Sequence, residues 1–235
     1  MTTLEPTDAN PQDSTPQPVQ DNNVSNKQPI PQGVIKRLSL YSRILQQLDR
    51  EKVEKVSSTE LGRLLELNSS QVRKDLAHFG QFGVPGFGYP VKELRHNIKV
   101  ILGTDKEVGV ALVGVGHLGT ALLSYGGFTL QGFRILCAFD VQITQETIGT
   151  EHVRVYHMNE LETRIRQLGL NFAILTVPSH AAQTVTDRLV EAGITAIMNF
   201  VPTRLRVPEQ VKVHYVDLAL EMETLSFFLQ QSLME

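Results

Sequence analysis

A short apolar run followed at once by three closely spaced glycines restricts the fold of this chain more than any other feature. The run is Val108–Val113, and Gly114, Gly116 and Gly119 follow it directly. A strand, a glycine-rich turn and then a helical pattern open a unit in which parallel strands are joined by helices. The rest of the chain alternates apolar runs with helical patterns, which predicts an α/β fold with a doubly wound parallel sheet.

The same alternation predicts where the sheet and its helices lie. We expect further strands at Phe133–Phe139, His152–Tyr156, Phe172–Val177, Ala196–Asn199 and Val211–Tyr215. We expect helices at His117–Tyr125, Asn159–Leu168 and Ser179–Ala192, and an amphipathic helix at Leu218–Leu233. This last helix is too apolar to stand alone, so it packs either on a partner subunit or on its own chain.

The spacing of the glycines predicts what the turn binds. The turn comprises Gly114, Val115, Gly116, His117, Leu118 and Gly119. In such a turn the first glycine allows a sharp bend, the second lets the backbone approach a pyrophosphate, and the third lets helix and strand pack closely. The free N–H groups at the start of the next helix also attract an anion. The pattern therefore predicts a dinucleotide-binding loop of the Rossmann type.

An acidic residue completes this prediction. Asp140 ends the second strand, 21 residues after Gly119, where a carboxylate can bond the ribose hydroxyls. A carboxylate at this place disfavours a 2′-phosphate, so NAD(H) is preferred to NADP(H). The alternative is a cluster of loop glycines beside a strand-end aspartate that caps a turn.

Residues 32–103 have a different pattern, which is largely helical. In the first helix apolar residues recur every three or four positions, at Val34, Leu38, Tyr41, Leu45 and Leu48. Ser57 and Glu60 have the spacing of a capping box, and Asn68 offers a second helix start shortly afterwards. Two short helices joined by a tight turn predict a helix-turn-helix.

A glycine-rich segment and a closing helix complete this region. Gly80–Pro90 contains four glycines and three aromatic residues, which is typical of a small hairpin, the wing of a winged helix. The helix Val91–Leu102 follows it. Residues 32–103 carry a net charge of +5 and residues 104–235 a net charge of −5, whereas the whole chain has −3. This asymmetry predicts two domains with different partners, although the basic charge alone supports nucleic-acid binding only weakly.

Composition limits the remaining possibilities. Residues 1–31 hold six of the eleven prolines and no aromatic residue, which predicts a disordered tail. No apolar run approaches the ~20 residues of a membrane helix, and we expect neither a membrane span nor a secretory leader. The single cysteine, Cys137, excludes an internal disulfide, and a cytoplasmic location is expected.

A dinucleotide loop first suggests hydride transfer, but the residues for a catalytic site are missing. Of the seven histidines, only His117 and His180 fall where ligands bind, and positions at helix starts explain both. Cys137, on a central strand, is expected in the core. A basic helix-turn-helix stands where a substrate domain would be, so we expect a DNA-binding protein with a nicotinamide dinucleotide as effector. An oxidoreductase and a dinucleotide-binding interaction module remain alternatives.

Several short segments also match a known family in the same order. They are Ser57–Gly62, Gln71–Leu76, Phe79–Gly80, Gly86–Tyr89, Glu93–His96, Asn199–Pro202 and Val216–Leu218. With them, about residues 31–233 resemble the redox-sensing transcriptional repressor Rex family of bacteria. The resemblance implies a homodimer with a winged-helix domain at 32–103, a Rossmann domain at 104–216 and an exchanged C-terminal helix at 217–235. It implies a repressor, not an enzyme, that binds an inverted-repeat operator with NAD⁺ and is released by NADH.

The resemblance also implies roles for particular residues. Arg73 and Lys74 would lie on the recognition helix, and Ser57 and Ser58 would meet the phosphate backbone. The other implied DNA contacts are Ser69, Gln71 and Gly86. The implied dinucleotide contacts outside the turn are Asp140, Val177, Pro178, Tyr125 and Asp217. In the implied switch Arg43 and Asp217 form an ion pair between domains, and Tyr125 joins it.

The wing departs from the family pattern. Family members carry a basic residue before the wing glycine, aimed at the minor groove, whereas this chain has Val84, Pro85 and Gly86. Pro85 cannot make that contact, so either the wing binds more weakly or Gln81 or a nearby residue compensates, and operator affinity and preference stay open. Leu218 also stands where some relatives have an aromatic residue.

Overall fold

The computed structural model describes residues 30–83, 87–143, 145–149 and 151–232. The N-terminal part contains α1 (Gln32–Arg50), β1 (Lys55–Val56), α2 (Ser58–Leu64), α3 (Ser69–Ala77), β2 (Tyr89–Pro90) and α4 (Val91–Leu102). The C-terminal part contains β3 (Val108–Val113), α5 (His117–Leu123), α6 (Gly127–Leu130), β4 (Phe133–Asp140), β5 (Thr147–Ile148), β6 (Val153–His157), α7 (Leu161–Leu168), β7 (Phe172–Leu175), α8 (Ala182–Ala192), β8 (Ala196–Asn199), β9 (Lys212–Tyr215) and α9 (Leu218–Ser232). Short 3₁₀ turns at Met158–Glu160 and Ser179–Ala181 precede α7 and α8.

The helices of the N-terminal part form around one apolar core. All the apolar positions expected in α1 are buried, and the residues of the other helices that join them are Leu61, Val72, Leu76, Leu94 and Ile98. The Ser57 side chain accepts a hydrogen bond from the Glu60 N–H (3.0 Å) and so begins α2. Asn68 begins α3 in the same way by accepting from the Ser70 N–H (2.8 Å). The predicted helix-turn-helix is therefore confirmed.

The structure describes the two arms of the glycine-rich segment after α3 but not the turn between them. In the described part of this segment only β2 is a strand, and its antiparallel partner is β1. The two arms do approach each other, since a Cβ on Gly83 would lie 2.6 Å from the Gly88 carbonyl oxygen. Val84–Gly86, with the implied DNA contact Gly86, lie outside the described residues.

The C-terminal part is the predicted doubly wound sheet. Its strand order is β5-β6-β4-β3-β7-β8-β9, and neighbouring strands are parallel except for β5 with β6. Helices α7 and α8 pack on one face through a core that includes Phe139, Leu161 and Leu189. Helices α5 and α6 pack on part of the other face. The strand order reverses between β3 and β7, which places a crevice for ligands beyond the carboxyl ends of these strands.

In the C-terminal part the structure adds two elements to the prediction and shortens others. The sequence pattern does not predict β5, which has two residues, or α6, which has four. The predicted helix His117–Tyr125 ends early, at Leu123, and the chain starts a separate short helix, α6, at Gly127. Strand β7 ends at Leu175 rather than Val177, because the chain turns there toward Pro178, which has no N–H for a ladder.

The C-terminal helix α9 extends away from its own chain. Its large apolar side chains are 56–71% exposed, and none of its described residues is buried. Packing on its own subunit, one of the two expected alternatives, is therefore wrong for the described residues. In the described ranges no helix is both long and apolar enough to cross a membrane.

The two parts of the chain meet through α1. The Gln46 side-chain amide donates to the Leu130 carbonyl oxygen (3.4 Å) at the end of α6. The Gln131 amide donates in turn to the Gln46 side-chain oxygen (3.3 Å). The first helix of the N-terminal part therefore also contacts the region that follows the glycine turn.

Candidate functional site

The glycine turn has a geometry in which two of its three positions exclude a larger residue. Gly114 has φ of 98°, and a Cβ there would lie 2.6 Å from the Thr176 carbonyl oxygen. A Cβ on Gly119 would overlap the Gly114 carbonyl oxygen. A Cβ on Gly116, by contrast, would meet no atom within 4 Å, so the space beside it is open to a ligand. Helix α5 begins directly afterwards, which places its unpaired N–H groups at this opening.

Asp140 lies beside this turn, at the end of β4. Its carboxylate accepts a hydrogen bond from the Gln142 N–H (3.0 Å), which is the turn cap of the alternative interpretation. It also accepts one from the Val115 N–H (2.6 Å) within the glycine turn, 25 residues away. The structure therefore brings Asp140 to the glycine turn, where a ribose-binding carboxylate is expected.

Thr176 belongs to this site although the sequence pattern does not single it out. Its hydroxyl lies 2.7 Å from the Gly114 carbonyl oxygen and 3.1 Å from that of Val113, and it donates to them. This contact ties the end of β7 to the glycine turn. Val177 and Pro178, both expected at the dinucleotide, follow directly at the same edge of the sheet. The sequence indicated this contact only by placing a hydroxyl residue directly after β7, the strand that neighbours β3.

Arg43 and Tyr125, two of the three expected switch residues, line one cavity. This cavity has a volume of 330 Å³ and lies between α1, α6 and one face of the sheet. Its apolar lining from the strands comprises Val110, Phe133, Ile135, Phe172, Ile174 and Met198. The Tyr125 ring packs edge-on against Phe128, with ring centres 5.0 Å apart, and a Cβ on Gly127 would overlap it. The absence of a side chain at Gly127 thus leaves room for the tyrosine ring.

Asp217, the third expected switch residue, lies elsewhere in the chain. Its carboxylate accepts from the Ala219 N–H (3.0 Å) and the Leu220 N–H (3.3 Å), so it caps α9. It lines a different cavity, with Arg204 and Tyr215. Among the described residues of one chain, the ion pair that the resemblance implies between Arg43 and Asp217 is not formed. The physical reason is that Asp217 stands at the base of α9, which leaves its own chain.

Three of the residues expected to meet DNA lie together on one face of the N-terminal part. Ser57, Ser58 and Arg73 line a surface cavity of 470 Å³ together with the segment Gly80–Gly83. One terminal nitrogen of the Arg73 guanidinium donates to the Ser58 hydroxyl (2.9 Å) and the other to the Ser70 hydroxyl (3.2 Å). The other expected contacts on α3 are Ser69, which is half-buried, and Lys74, which is exposed. The basic group of this face is therefore held outward between α2 and α3.

A buried carboxylate fixes the helix that carries these residues. Asp75 is fully buried and accepts two hydrogen bonds from Arg37 (2.6 and 2.8 Å) and one from the Tyr41 hydroxyl (2.7 Å). Gln71, an expected DNA contact, instead directs its amide to Asp75 (2.7 Å). Burial alone would raise the pKa of Asp75, but these hydrogen bonds and the charge of Arg37 outweigh it and hold the pKa below its ordinary value. The network joins α3 to α1.

Two features bear on a catalytic role, namely metal ligands and the single cysteine. The described residues contain no group of histidine, cysteine and acidic side chains that could hold a metal ion. Cys137 is buried, as expected, and burial raises the pKa of its thiol to about 12. A thiol in that state is a core residue and not a nucleophile at neutral pH.

Sequence models of two families match the two parts of the chain. The model described as "Putative DNA-binding protein N-terminus" matches residues 29–77, which include the helix-turn-helix. The model described as "CoA binding domain" matches residues 105–203, which include the glycine turn and most of the sheet.

Curated relatives extend the match over most of the chain. A redox-sensing transcriptional repressor Rex from Listeria welshimeri is 42% identical over 201 residues, which cover 86% of this chain and 94% of the relative. The protein of the same name from Anoxybacillus flavithermus is 44% identical over 210 residues, covering 88% and 98%. The chain belongs to the Rex family. Its resemblance to that family is therefore confirmed.

Solved structures of a Rex-family repressor, RSP, have the same fold. The crystal structure of RSP with β-NAD⁺ and operator DNA matches with a TM-score of 0.81 and 36% identity, covering 88% of this chain and 96% of that one. The structure of RSP with β-NADH matches with a TM-score of 0.76 and 35% identity, covering 88% and 98%. The predicted pairing of an N-terminal winged helix-turn-helix domain with a Rossmann domain is thus confirmed at the level of the fold.

Proposed function

We propose that this Rex-family chain is a transcriptional repressor that responds to the balance of NADH and NAD⁺. With NAD⁺ it binds an inverted-repeat operator, and NADH releases it. The observation that carries the proposal is that one chain holds both a dinucleotide-type glycine turn beside Asp140 and a basic face presented by Arg73. The relatives that share this pairing are named redox-sensing repressors, and RSP has been crystallised with both dinucleotides and with operator DNA.

The dinucleotide would bind across the crevice where the strand order reverses. The open space beside Gly116 suits the pyrophosphate, and the N-terminus of α5 favours its charge. Asp140 would exchange its bond to the Val115 N–H for bonds to the ribose hydroxyls. Val177 and Pro178 would lie against the nicotinamide half. NAD(H) would act as an effector and not as a redox cosubstrate, as in relatives that are named redox-sensing transcriptional repressors.

The nicotinamide ring offers a physical basis for the switch. NAD⁺ carries a positive charge on this ring and NADH does not, so the two forms favour different arrangements of nearby charged groups. Tyr125 and Arg43 share the cavity between α1, α6 and the sheet. A shift at Tyr125 would therefore change the contact between the C-terminal part and α1, which is tied to the recognition helix through Asp75.

The third switch residue would come from a second subunit. We infer a homodimer in which the C-terminal segment 217–235, which contains α9, packs on the partner subunit. The exposed apolar side chains of α9 and the apolar cavity that contains Ile174 and Met198 are complementary surfaces. The exchanged helix would carry Asp217 of the partner subunit toward Arg43. The domain boundaries at residues 103 and 216 are part of the same proposal.

The test of the function is fluorescence anisotropy of a labelled duplex that carries the operator used with RSP. The protein is added first, and NADH or NAD⁺ is then titrated into the complex. We expect micromolar NADH to release the DNA and excess NAD⁺ to oppose the release. Binding should also fall steeply with salt, because several phosphate contacts release counterions. Binding that is indifferent to both dinucleotides would contradict the sensor, and NADH oxidation with an aldehyde or a 2-hydroxy acid would favour an oxidoreductase.

Replacing Asp140 by alanine is expected to weaken both dinucleotides. The variant loses the carboxylate that would bond the ribose, and hydrogen bonds to a charged group contribute about 1.5–3 kcal/mol. We therefore expect the dissociation constants of NADH and NAD⁺ to rise by about tenfold or more. Calorimetric titration measures both, with Gln142→Ala, at the same turn, as the control. Unchanged affinity in Asp140→Ala would contradict the assignment of the ribose site.

Charges placed on the apolar face of α9 are expected to separate the subunits. The double variant Leu225→Glu and Phe228→Glu puts two carboxylates on side chains that are 63% and 56% exposed in one chain. Their burial in a dimer would carry a desolvation cost, so sedimentation should find a monomer where the parent protein is a dimer. Operator affinity should fall by at least about tenfold, because a monomer engages one half-site. The control is Gln230→Glu on the same helix, and an unchanged mass of the double variant would contradict the exchanged helix.

A further inference from the structure

Two serine hydroxyls hold the guanidinium of Arg73 in one place. The bond to Ser58 (2.9 Å) joins α3 to the start of α2, across 15 residues of sequence. The bond to Ser70 (3.2 Å) comes from one turn earlier on α3 itself. An exposed arginine side chain ordinarily samples many rotamers, so two restraints from different helices fix both its position and the plane of its fork.

We propose that Ser58 and Ser70 are positioning residues, which aim Arg73 at a guanine of the operator. This inference rests on the proposed function, because it assumes that the face around Arg73 meets DNA. It gives Ser58 a different role from the phosphate contact that the family resemblance implies. Sequence specificity would then depend on a triad of side chains, of which only the arginine touches a base.

The donor inventory of Arg73 permits this arrangement. A guanidinium has five N–H donors, and the two serines engage one on each terminal nitrogen. The remaining donors still suffice for a bidentate contact with the O6 and N7 atoms of guanine. An arginine that is fixed before binding loses less conformational freedom on binding, which increases affinity for the correct base.

Two other roles of Ser58 make different predictions. If its hydroxyl meets a backbone phosphate, its loss weakens binding to every duplex by the same factor. If its bond to Arg73 must break before the arginine reaches DNA, its loss strengthens operator binding. A positioning role predicts a third result, in which operator binding weakens, the protein discriminates less between bases, and the effect disappears without Arg73.

The experiment is a double-mutant cycle on full-length protein, read by fluorescence anisotropy in the presence of NAD⁺. The variants are Ser58→Ala, Arg73→Ala and their combination, and the duplexes are the RSP operator and copies with 7-deazaguanine at each guanine of the half-site. Loss of the N7 acceptor reports a contact with that guanine directly. Ser70→Ala tests the second restraint, and Ser58→Thr keeps a hydroxyl at the same place. Thr59→Ala is the matched control, since Thr59 lines the same cavity without bonding Arg73.

We expect Ser58→Ala to weaken operator binding by about threefold to tenfold. We also expect it to reduce the penalty for 7-deazaguanine at one position, and to have no effect in the Arg73→Ala background. Ser58→Thr should restore discrimination, and Thr59→Ala should leave the ratio between duplexes unchanged. Additive effects of Ser58→Ala and Arg73→Ala, or tighter operator binding, would overturn the positioning role while leaving the repressor intact. Failure of the unmodified protein to bind any duplex would instead contradict the proposed function as well.

Discussion

Replacing Asp75 by alanine is expected to unfold the N-terminal part far more readily than any change on its surface. The substitution leaves the Arg37 guanidinium and the Tyr41 hydroxyl without the carboxylate that they bond, and Asp75 itself is fully buried. The Arg37 side chain keeps 26% exposure, so water can partly solvate its guanidinium, and we expect the loss of these hydrogen bonds to cost about 1–3 kcal/mol of stability. Denaturation by urea, followed by circular dichroism, measures the loss. Because the C-terminal part has its own cores, NADH binding should survive.

The control for this change is Asp105→Asn, which removes an exposed carboxylate from the same chain. It is expected to alter the free energy of unfolding by no more than about 0.5 kcal/mol. Asp75→Asn keeps the shape of the side chain and removes only its charge, so it separates packing from the ion pair. A loss of stability as small as that of Asp105→Asn in both Asp75 variants would contradict the structural role of the network.

The pKa of Asp75 adds a dependence on pH to the same prediction. The folded state holds this pKa below its ordinary value, which the unfolded chain restores to about 3.9. The stabilisation is therefore complete above the unfolded value and is lost as the pH falls through the folded value. Because this range lies above the unfolded pKa of about 3.9, the contribution of Asp75 to the free energy of unfolding should stay constant between about pH 5 and 7. Below about pH 4 the unmodified protein should lose stability more steeply than Asp75→Asn.

The second large effect is expected from Gly119→Ala. The added Cβ would overlap the carbonyl oxygen of Gly114, so the glycine turn or α5 must move. Forcing an extra methyl group into a packed site typically costs about 1–3 kcal/mol. Dinucleotide affinity should fall by at least about tenfold, because the turn that would hold the pyrophosphate is displaced. Fluorescence titration with NADH and thermal unfolding measure the two effects.

Gly116→Ala provides the comparison within the same turn. No atom lies within 4 Å of the added Cβ, and the backbone there, with φ of −76°, accepts alanine. Stability should therefore stay unchanged, whereas dinucleotide binding should weaken if the pyrophosphate occupies that space. If Gly116→Ala bound NADH as tightly as the unmodified protein, the ligand would not lie beside Gly116. If Gly119→Ala were as stable as the unmodified protein, the turn would be more plastic than its contacts indicate.

The parts of the fold that depend on local sequence could be predicted. Helix α4 coincides with its predicted range, Val91–Leu102, because one apolar face and a glycine at its end define it. Strand β3, which precedes the glycine turn, was equally clear from its apolar run. The pairing of β2 with β1 was not, because it joins residues more than thirty positions apart and neither strand has a strong pattern of its own.

The site was predictable to the same extent. The glycine turn and Asp140 follow a spacing that the sequence displays, and the structure brings them together. Thr176 and the partners of Asp75 are different, since a single threonine or aspartate carries no pattern from which a contact 38 or 62 residues away could be inferred. The separation of Asp217 from Arg43 within one chain was also hidden, because sequence order does not tell how far apart two residues lie in the fold.

Helix α1 has a mechanical consequence for the whole molecule. It is a single helix of 19 residues. Asp75 accepts hydrogen bonds from Arg37 and Tyr41, in the first ten residues of the helix, and Gln131 donates one to Gln46 closer to its C-terminal end. At 1.5 Å per residue, Gln46 lies roughly 8–13 Å along the helix axis from Tyr41 and Arg37. If α1 tilts by a few degrees about Gln46, the residues bonded to Asp75 move by up to about an ångström. A small rearrangement near Gln131 would therefore change the orientation of α3, which Asp75 joins to α1.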